Sequence, residues 1–275
     1  MLALTGSTYA QFTSGVNLVE VYATVTDQRG APVKDLTAAD VRIREDGSPQ
    51  TISAFSAGEF PLAVAIGLDR SFSMGGGRTS RLDTAKSAAR AFIEALKPAD
   101  QVMVIAIGSE TTVVAPLSTK HEAALAAIDR LDAWGTTPLY DAIAGALDAI
   151  QSAKGRRALV VLSDGSDRYS DTKAPDLVDR ARKHDVLIYP VAVGASRPPL
   201  FAELAAATGG RSFFVRDPAA LVATMRQIAR ELRFQYLLGY APSRERAGQP
   251  AWHAIDVSVA RPGVTVRARD GYFSR

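Results

Sequence analysis

The chain has 275 residues, 47% of them hydrophobic and 22% charged, with 21 Gly and 14 Pro. That is a globular composition, and it excludes disordered, collagen-like and low-complexity classes. A net charge of +3 with no basic run of five residues leaves no nucleic-acid footprint, and zero cysteines exclude disulfides, thiol nucleophiles and zinc ribbons.

Met1 to Ala10 joins a short apolar stretch to Thr8-x-Ala10 before Gln11. It reads as the tail of a secretory signal without its basic start, which predicts an exported, periplasmic or secreted protein. An ordinary frayed terminus accounts for the same residues. No apolar run approaches the ~20 residues of a membrane span.

From Val16 to Phe55 the pattern is β. Val19, Val21, Ala23 and Val25 alternate with Glu20, Tyr22 and Thr24, and a second strand is expected around Val41 to Glu45. Asp46-Gly47 predicts a tight turn into Gln50–Phe55. From Pro61 to Arg233, apolar runs alternate with amphipathic stretches of helical length, as in βαβ units with a mainly parallel sheet. The predicted strands are Leu62–Leu68, Val102–Ile107, Thr111–Ala115, Ala158–Leu162, Val186–Val193 and Arg211–Phe214. The predicted helices are Ser80–Leu96, His121–Leu131, Leu139–Ala153, Ala174–His184, Leu200–Ala207 and Pro218–Leu232. From Phe234 β patterning returns, through Gln235–Tyr240, His253–Val259 and Val264–Ala268.

Each β segment at a chain end is too small to fold well alone. The fold class is therefore α/β, a Rossmann-like mainly parallel sheet with helices on both faces, plus a small antiparallel β-sandwich-like domain made from both chain ends. The expected division is 1–11 as a signal-like or disordered start, 12–58 and 234–275 as the halves of the β domain, and 59–233 as the α/β domain.

In an open α/β sheet, ligands sit beyond the carboxyl ends of the strands. Three such places are rich in oxygen: Asp69-Arg70-Ser71-Phe72-Ser73, Gly135-Thr136-Thr137-Pro138-Leu139-Tyr140-Asp141, and Ser163-Asp164-Gly165-Ser166-Asp167. Carboxylates and hydroxyls with no soft ligand suit a hard cation such as Mg²⁺. Capping and turn roles are the plainer reading of the same residues. Asp141 and Asp167 are assigned those plainer roles, as helix-dipole or turn residues.

These motifs resemble von Willebrand factor A domains and their metal-ion-dependent adhesion site (MIDAS). Asp69, Ser71 and Ser73 match D-x-S-x-S, Thr137 matches the threonine of the second loop in preference to Thr136, and Asp164 matches the aspartate of the third. The flanks are similar to the bacterial VWFA-related group first recognised in Acidobacteria. Val25 to Val33, Leu36 to Asp40, Glu45-Asp-Gly47-x-x-Gln50, Tyr236-Leu-Leu-Gly-Tyr240 and Arg269-Asp-Gly-Tyr272 carry that likeness.

The resemblance implies one antiparallel edge strand, a site for Mg²⁺ or Mn²⁺ (Ca²⁺ as a third candidate), and binding of a protein that presents an acidic side chain, without catalysis. Arg70, Arg78 and Trp134 are candidate partner contacts. For Trp134 the plainer reading is packing beneath its loop, and Arg78 and Arg81 read either as a basic rim or as two solvated helix-start charges.

Two other functions compete. A phosphoryl-transfer enzyme is suggested by an Asp directly after the first parallel strand, but the second carboxylate such chemistry wants is Ser71 here, and Gly75-Gly76-Gly77 lacks the ending of a P-loop. A structural envelope scaffold with a vestigial metal site is the other.

Overall fold

The computed structural model describes residues 18–75, 80–242 and 250–274; the signal-like start therefore lies outside the described residues. The first strand, β1 (Val19–Asp27), buries its valines by alternation. A single 3-10 turn at Ala38–Asp40 leads into β2 (Val41–Glu45), with Val41, Ile43 and Glu45 facing inward. Asp46 and Gly47 both adopt positive φ (49° and 77°), as a two-residue hairpin turn of the primed kind requires.

That turn opens two strands rather than the single one expected over Gln50–Phe55. β3 (Ser48–Gln50) closes the hairpin on β2, whereas β4 (Ile52–Gly58) crosses to a different sheet. Such a switch at a sandwich corner leaves little trace in an alternating pattern.

The α/β layer follows. β5 (Leu62–Asp69) is buried along its whole length, as a strand covered on both faces must be. A four-residue helix not expected from the sequence, α1 (Phe72–Gly75), comes next. α2 (Arg81–Glu94) is capped by Ser80 Oγ, which accepts from the Asp83 amide at 3.2 Å. β6 (Gln101–Ile107) and β7 (Thr111–Ser118) form an antiparallel pair at the sheet edge. β7 runs past the predicted stop at Ala115 because an edge strand, here with irregular register, tolerates Pro116.

α3 (His121–Asp129) and α4 (Leu139–Ile150) lead to β8 (Arg156–Ser163), which starts two residues earlier than its apolar run because Arg156 and Arg157 belong to it. Then come α5 (Ala174–Lys183), β9 (Leu187–Val193), α6 (Pro199–Thr208) and β10 (Phe213–Val215). A 3-10 turn at Pro218–Ala220 precedes α7 (Leu221–Arg233). Only Phe234 separates α7 from β11 (Gln235–Tyr240), and β12 (Trp252–Val259), β13 (Val264–Arg267) and β14 (Gly271–Phe273) complete the chain.

The central sheet has the order β10-β9-β8-β5-β6-β7 and is parallel except at β7. One face packs on α2, α3 and α7 through Leu82, Phe92, Ile128, Met225 and Ile228. The other packs on α4, α5 and α6 through Ile143, Leu147, Leu177 and Phe201. Two four-stranded sheets, β13-β1-β11-β4 and β14-β12-β2-β3, mix strands from both ends of the chain. Their inner faces share one core that includes Val21, Ile43, Leu238 and Ile255, a sandwich by construction.

Candidate metal site at the carboxyl ends of the parallel strands

The site is built by the β5–α1 loop, the approach to α4 and the loop after β8. Backbone bonds fix these segments to one another. The Arg70 amide donates to the Ile107 carbonyl at the end of β6, Trp134 N–H to the Arg70 carbonyl at 2.6 Å, and Phe72 N–H to the Gly135 carbonyl. The Arg168 amide donates to the Thr137 carbonyl at 2.7 Å, holding the third loop against the second.

Asp69 lies at the centre with no solvent exposure. Its Oδ1 accepts from the Ser71 amide at 2.9 Å and from Thr137 Oγ1 at 3.5 Å, and its Oδ2 accepts from Ser163 Oγ at 2.6 Å. Ser71 Oγ and Ser73 Oγ are 3.0 Å apart. Among the described residues, all of Asp69's hydrogen-bond donors are neutral. Burial pushes its carboxyl above the usual carboxylate range, against the bonds from Ser163 and Ser71, and the Asp164 charge adds to the rise. Asp164 Oδ1 accepts from the Ser166 amide at 3.0 Å.

The structure thus brings Asp69, Ser71, Ser73 and Thr137 into one hydrogen-bonded group with Asp164 beside it. Thr136 turns aside to Ser109, whose Oγ accepts from its amide at 3.0 Å. Thr137 makes no side-chain cap on α4. That service falls to Asp167 and Ser170, whose oxygens accept from the Tyr140 amide at 3.1 Å each. Asp141 accepts from the Asp171 and Thr172 amides at 2.9 Å each. A buried carboxylate ringed by hydroxyl oxygens, and with no counter-charge bonded to it among the described residues, fits a hard divalent cation.

Of the partner candidates, Arg70 turns its guanidinium over the Trp134 ring, 5.1 Å from the centroid. Trp134 is 45% exposed, so the expected packing beneath its loop is not what the structure shows: the indole is on the surface and Arg70 covers part of it. Arg78 lies outside the described residues.

Two residues named in the sequence had no place at Asp69 assigned to them. Ser163 makes the shortest bond to Asp69, and its place directly after an apolar run was the available signal. Arg81 is no solvated helix-start charge: its Nη1 donates to the Ser73 carbonyl at 3.2 Å and lies 3.9 Å from Asp164 Oδ2. A second cluster sits in the sandwich, where ligand atoms of Glu45, Asp46 and His253 lie within 4.8 Å of one another. Glu45 Oε2 there accepts from the Tyr240 and Tyr272 hydroxyls, and Asp46 Oδ2 pairs with His253 Nδ1 at 2.8 Å.

Residues 64–166 match the von Willebrand factor type A domain family. An uncharacterized protein of Synechocystis sp. is 26% identical over 230 residues, covering 77% of this chain and 54% of that protein; the chain thus spans about half the length of this relative. A von Willebrand factor type A structure from Catenulispora acidiphila superposes with a TM-score of 0.56 at 18% identity, over 95% of this chain and 75% of that one. BatB from Bacteroides thetaiotaomicron gives 0.52 at 20% identity, over 62% and 98%. The domain of the type V pili tip protein Mfa5 from Porphyromonas gingivalis gives 0.53 at 12%, over 62% and 95%. With its parallel sheet, its antiparallel edge and its three loops gathered around Asp69, the α/β part of this chain has the von Willebrand factor type A fold, and residues 64–166 within it match that family.

Proposed function

We propose that this domain is a metal-ion-dependent protein-binding module. Asp69, Ser71, Ser73, Thr137 and Asp164 would hold Mg²⁺ or Mn²⁺, with Ca²⁺ as the third candidate. The bound ion supplies positive charge and an open coordination position for a carboxylate of the partner. One observation carries the reading: Asp69 is a fully buried carboxylate whose hydrogen-bond donors among the described residues are all neutral, in a shell of hydroxyl oxygens.

The surroundings suit an acidic protein partner. Phe72 (67% exposed) at the start of α1, and Trp134 (45%) and Tyr169 (80%) on the other two site segments, surround the site. Exposed aromatics beside a charged site are the usual composition of a binding surface. The reading is of a binder and not of an enzyme, because the residue two after Asp69 is Ser71 where phosphoryl transfer would want a second carboxylate. An exported location is supported by relatives described as an aerotolerance-related membrane protein and a pili tip protein. Among the described residues no helix is long and apolar enough to cross a membrane.

The test is calorimetric titration of EDTA-stripped protein with Mg²⁺ and with Mn²⁺, with Asp69→Ala as control. Saturable binding that the substitution abolishes supports the module. Absence of binding in the unsubstituted protein, even with an acidic peptide present, would put a structural scaffold with a vestigial site in its place.

A further inference from the structure

At the opposite end of β8 from Ser163, the α/β layer meets the sandwich at a cleft lined by Tyr22, Arg156, Arg157, Arg182, Asp185 and Arg269. Four arginines from three stretches of the chain line it. Asp185 pairs with Arg157 at 3.5 Å and with Arg269 at 3.2 Å. Arg182 is held away by Asp270 at 2.8 Å, by Asp179 on its solvent side and by the Trp252 ring.

Arg156 has no carboxylate within 4.0 Å among the described residues. It is 2% exposed and bonds only neutral acceptors: Gln235 Oε1 at 2.9 Å, the Phe60 carbonyl at 3.4 Å and the Leu232 carbonyl. Burial draws its pKa down to about 10, the direction expected of a cation without a counter-charge. The Nε–H groups of Arg156, Arg157 and Arg269 are all buried and all without an acceptor among the described residues. Buried donors and buried charges ordinarily find partners, because leaving them alone costs free energy. Orphaned donors on three cationic side chains that line one cleft describe a place for an anion. The guanidinium fork matches the oxygens of a phosphate better than those of a spherical ion.

We propose that this junction cleft binds a small oxyanion of the phosphate class, held by Arg156, Arg157 and Arg269. The ligand is either free phosphate or the phosphoryl group of a monoester. Asp185 competes with it for two of the three arginines. Tyr22 belongs to β1, Arg156 and Arg157 to β8, and Arg269 to the approach to β14, so an occupied cleft ties the sandwich to the α/β layer. The site is independent of the metal reading, and its test is run in EDTA.

The full chain is dialysed into chloride buffer of fixed ionic strength and titrated calorimetrically with inorganic phosphate, glycerol 3-phosphate and acetate. Saturable one-to-one binding of phosphate, and weaker or no binding of acetate, is expected. Binding of glycerol 3-phosphate as well assigns a monoester group, and binding of phosphate alone assigns the free ion. Arg269→Gln is expected to weaken binding about tenfold, the effect of one charge-assisted contact. Asp185→Asn is expected to strengthen it severalfold, and because Asp185 is half exposed this variant remains informative if the arginine variant misfolds. No saturable phosphate binding, equal binding of acetate, or indifference to both substitutions would overturn the proposal and leave an ion-pair seam between two layers.

Discussion

Replacing Asp69 by Asn separates the cost of the site from its use. Asn keeps the shape: its carbonyl oxygen can accept from the Ser71 amide and from Thr137, while its amide can donate to Ser163 Oγ, which is free to rotate and already accepts from the Gly165 amide at 3.0 Å. What disappears is a negative charge buried among neutral donors. The Asp69 carboxyl titrates above its unfolded value, so the ionised form opposes folding at neutral pH. In EDTA the variant is therefore expected to be as stable as the parent or more stable by about 1 to 2 kcal/mol.

Divalent metal should reverse the order. At a free Mg²⁺ concentration 100 times its dissociation constant, binding to the native state contributes about 2.7 kcal/mol. For a chain of this size that corresponds to a rise in Tm of about 5 to 10 °C. The variant should show almost none of it. Paired thermal melts in EDTA and in Mg²⁺, followed by circular dichroism, read both effects. An equal metal-induced rise in both proteins, or an Asn variant several degrees less stable in EDTA, would refute the reasoning.

Arg81 places a cation beside Asp164 and the Ser73 carbonyl, so Arg81→Ala is expected to tighten Mg²⁺ binding by about 1 kcal/mol, roughly fivefold, in the same calorimetric titration. Glu231 is almost fully buried and is reached by Arg211 at 2.7 Å, Arg267 at 2.6 Å and Gln227 at 3.1 Å; Glu231→Gln should cost about 3 kcal/mol in urea denaturation by stranding Arg267. Asp141 is held below the usual carboxylate range: burial acts against this, but the bonds from Thr172 and Asp171 outweigh it. Its contribution is present above the unfolded pKa and lost as pH falls through the lower folded value. Asp141→Asn should therefore lower Tm at pH 7 and converge on the parent as the pH falls through the depressed pKa of the folded Asp141.

The parallel sheet was legible because burial on both faces forces continuous apolar runs, as in Leu62 to Leu68 and Ala158 to Leu162. The strand expected around Val41 to Glu45 is β2, and the structure adds that Glu45 faces inward, its burial tolerated because the Tyr240 and Tyr272 hydroxyls donate to it. The division of Ser48 to Gly58 between two sheets was not legible, because local pattern carries no information about which sheet a strand joins. In the same way D-x-S-x-S marked three oxygen-bearing residues, whereas Arg81 reaches the site from the next helix and only tertiary packing brings it there. Trp134 was misjudged because size and apolarity argue for burial, while the contact from Arg70 lets the indole stay on the surface.

The sandwich also sets a timetable for the nascent chain. β1 lies between β11 and β13, both of which emerge long after it. Thr24 cannot meet Gln235 Nε2, its hydrogen-bond donor, until 211 further residues have been made. At ribosomal speeds of about 5 to 20 residues per second, that delay is roughly 10 to 40 s. Throughout it the valine-rich β1 has neither neighbour, and an unpaired strand of that kind recruits other strands. The α/β layer, complete once α7 has been synthesised, is expected to form during the wait. Chains stalled before Phe234 should then protect the central sheet from protease and leave β1 open to cleavage, so the first strand made would be the last to find its place.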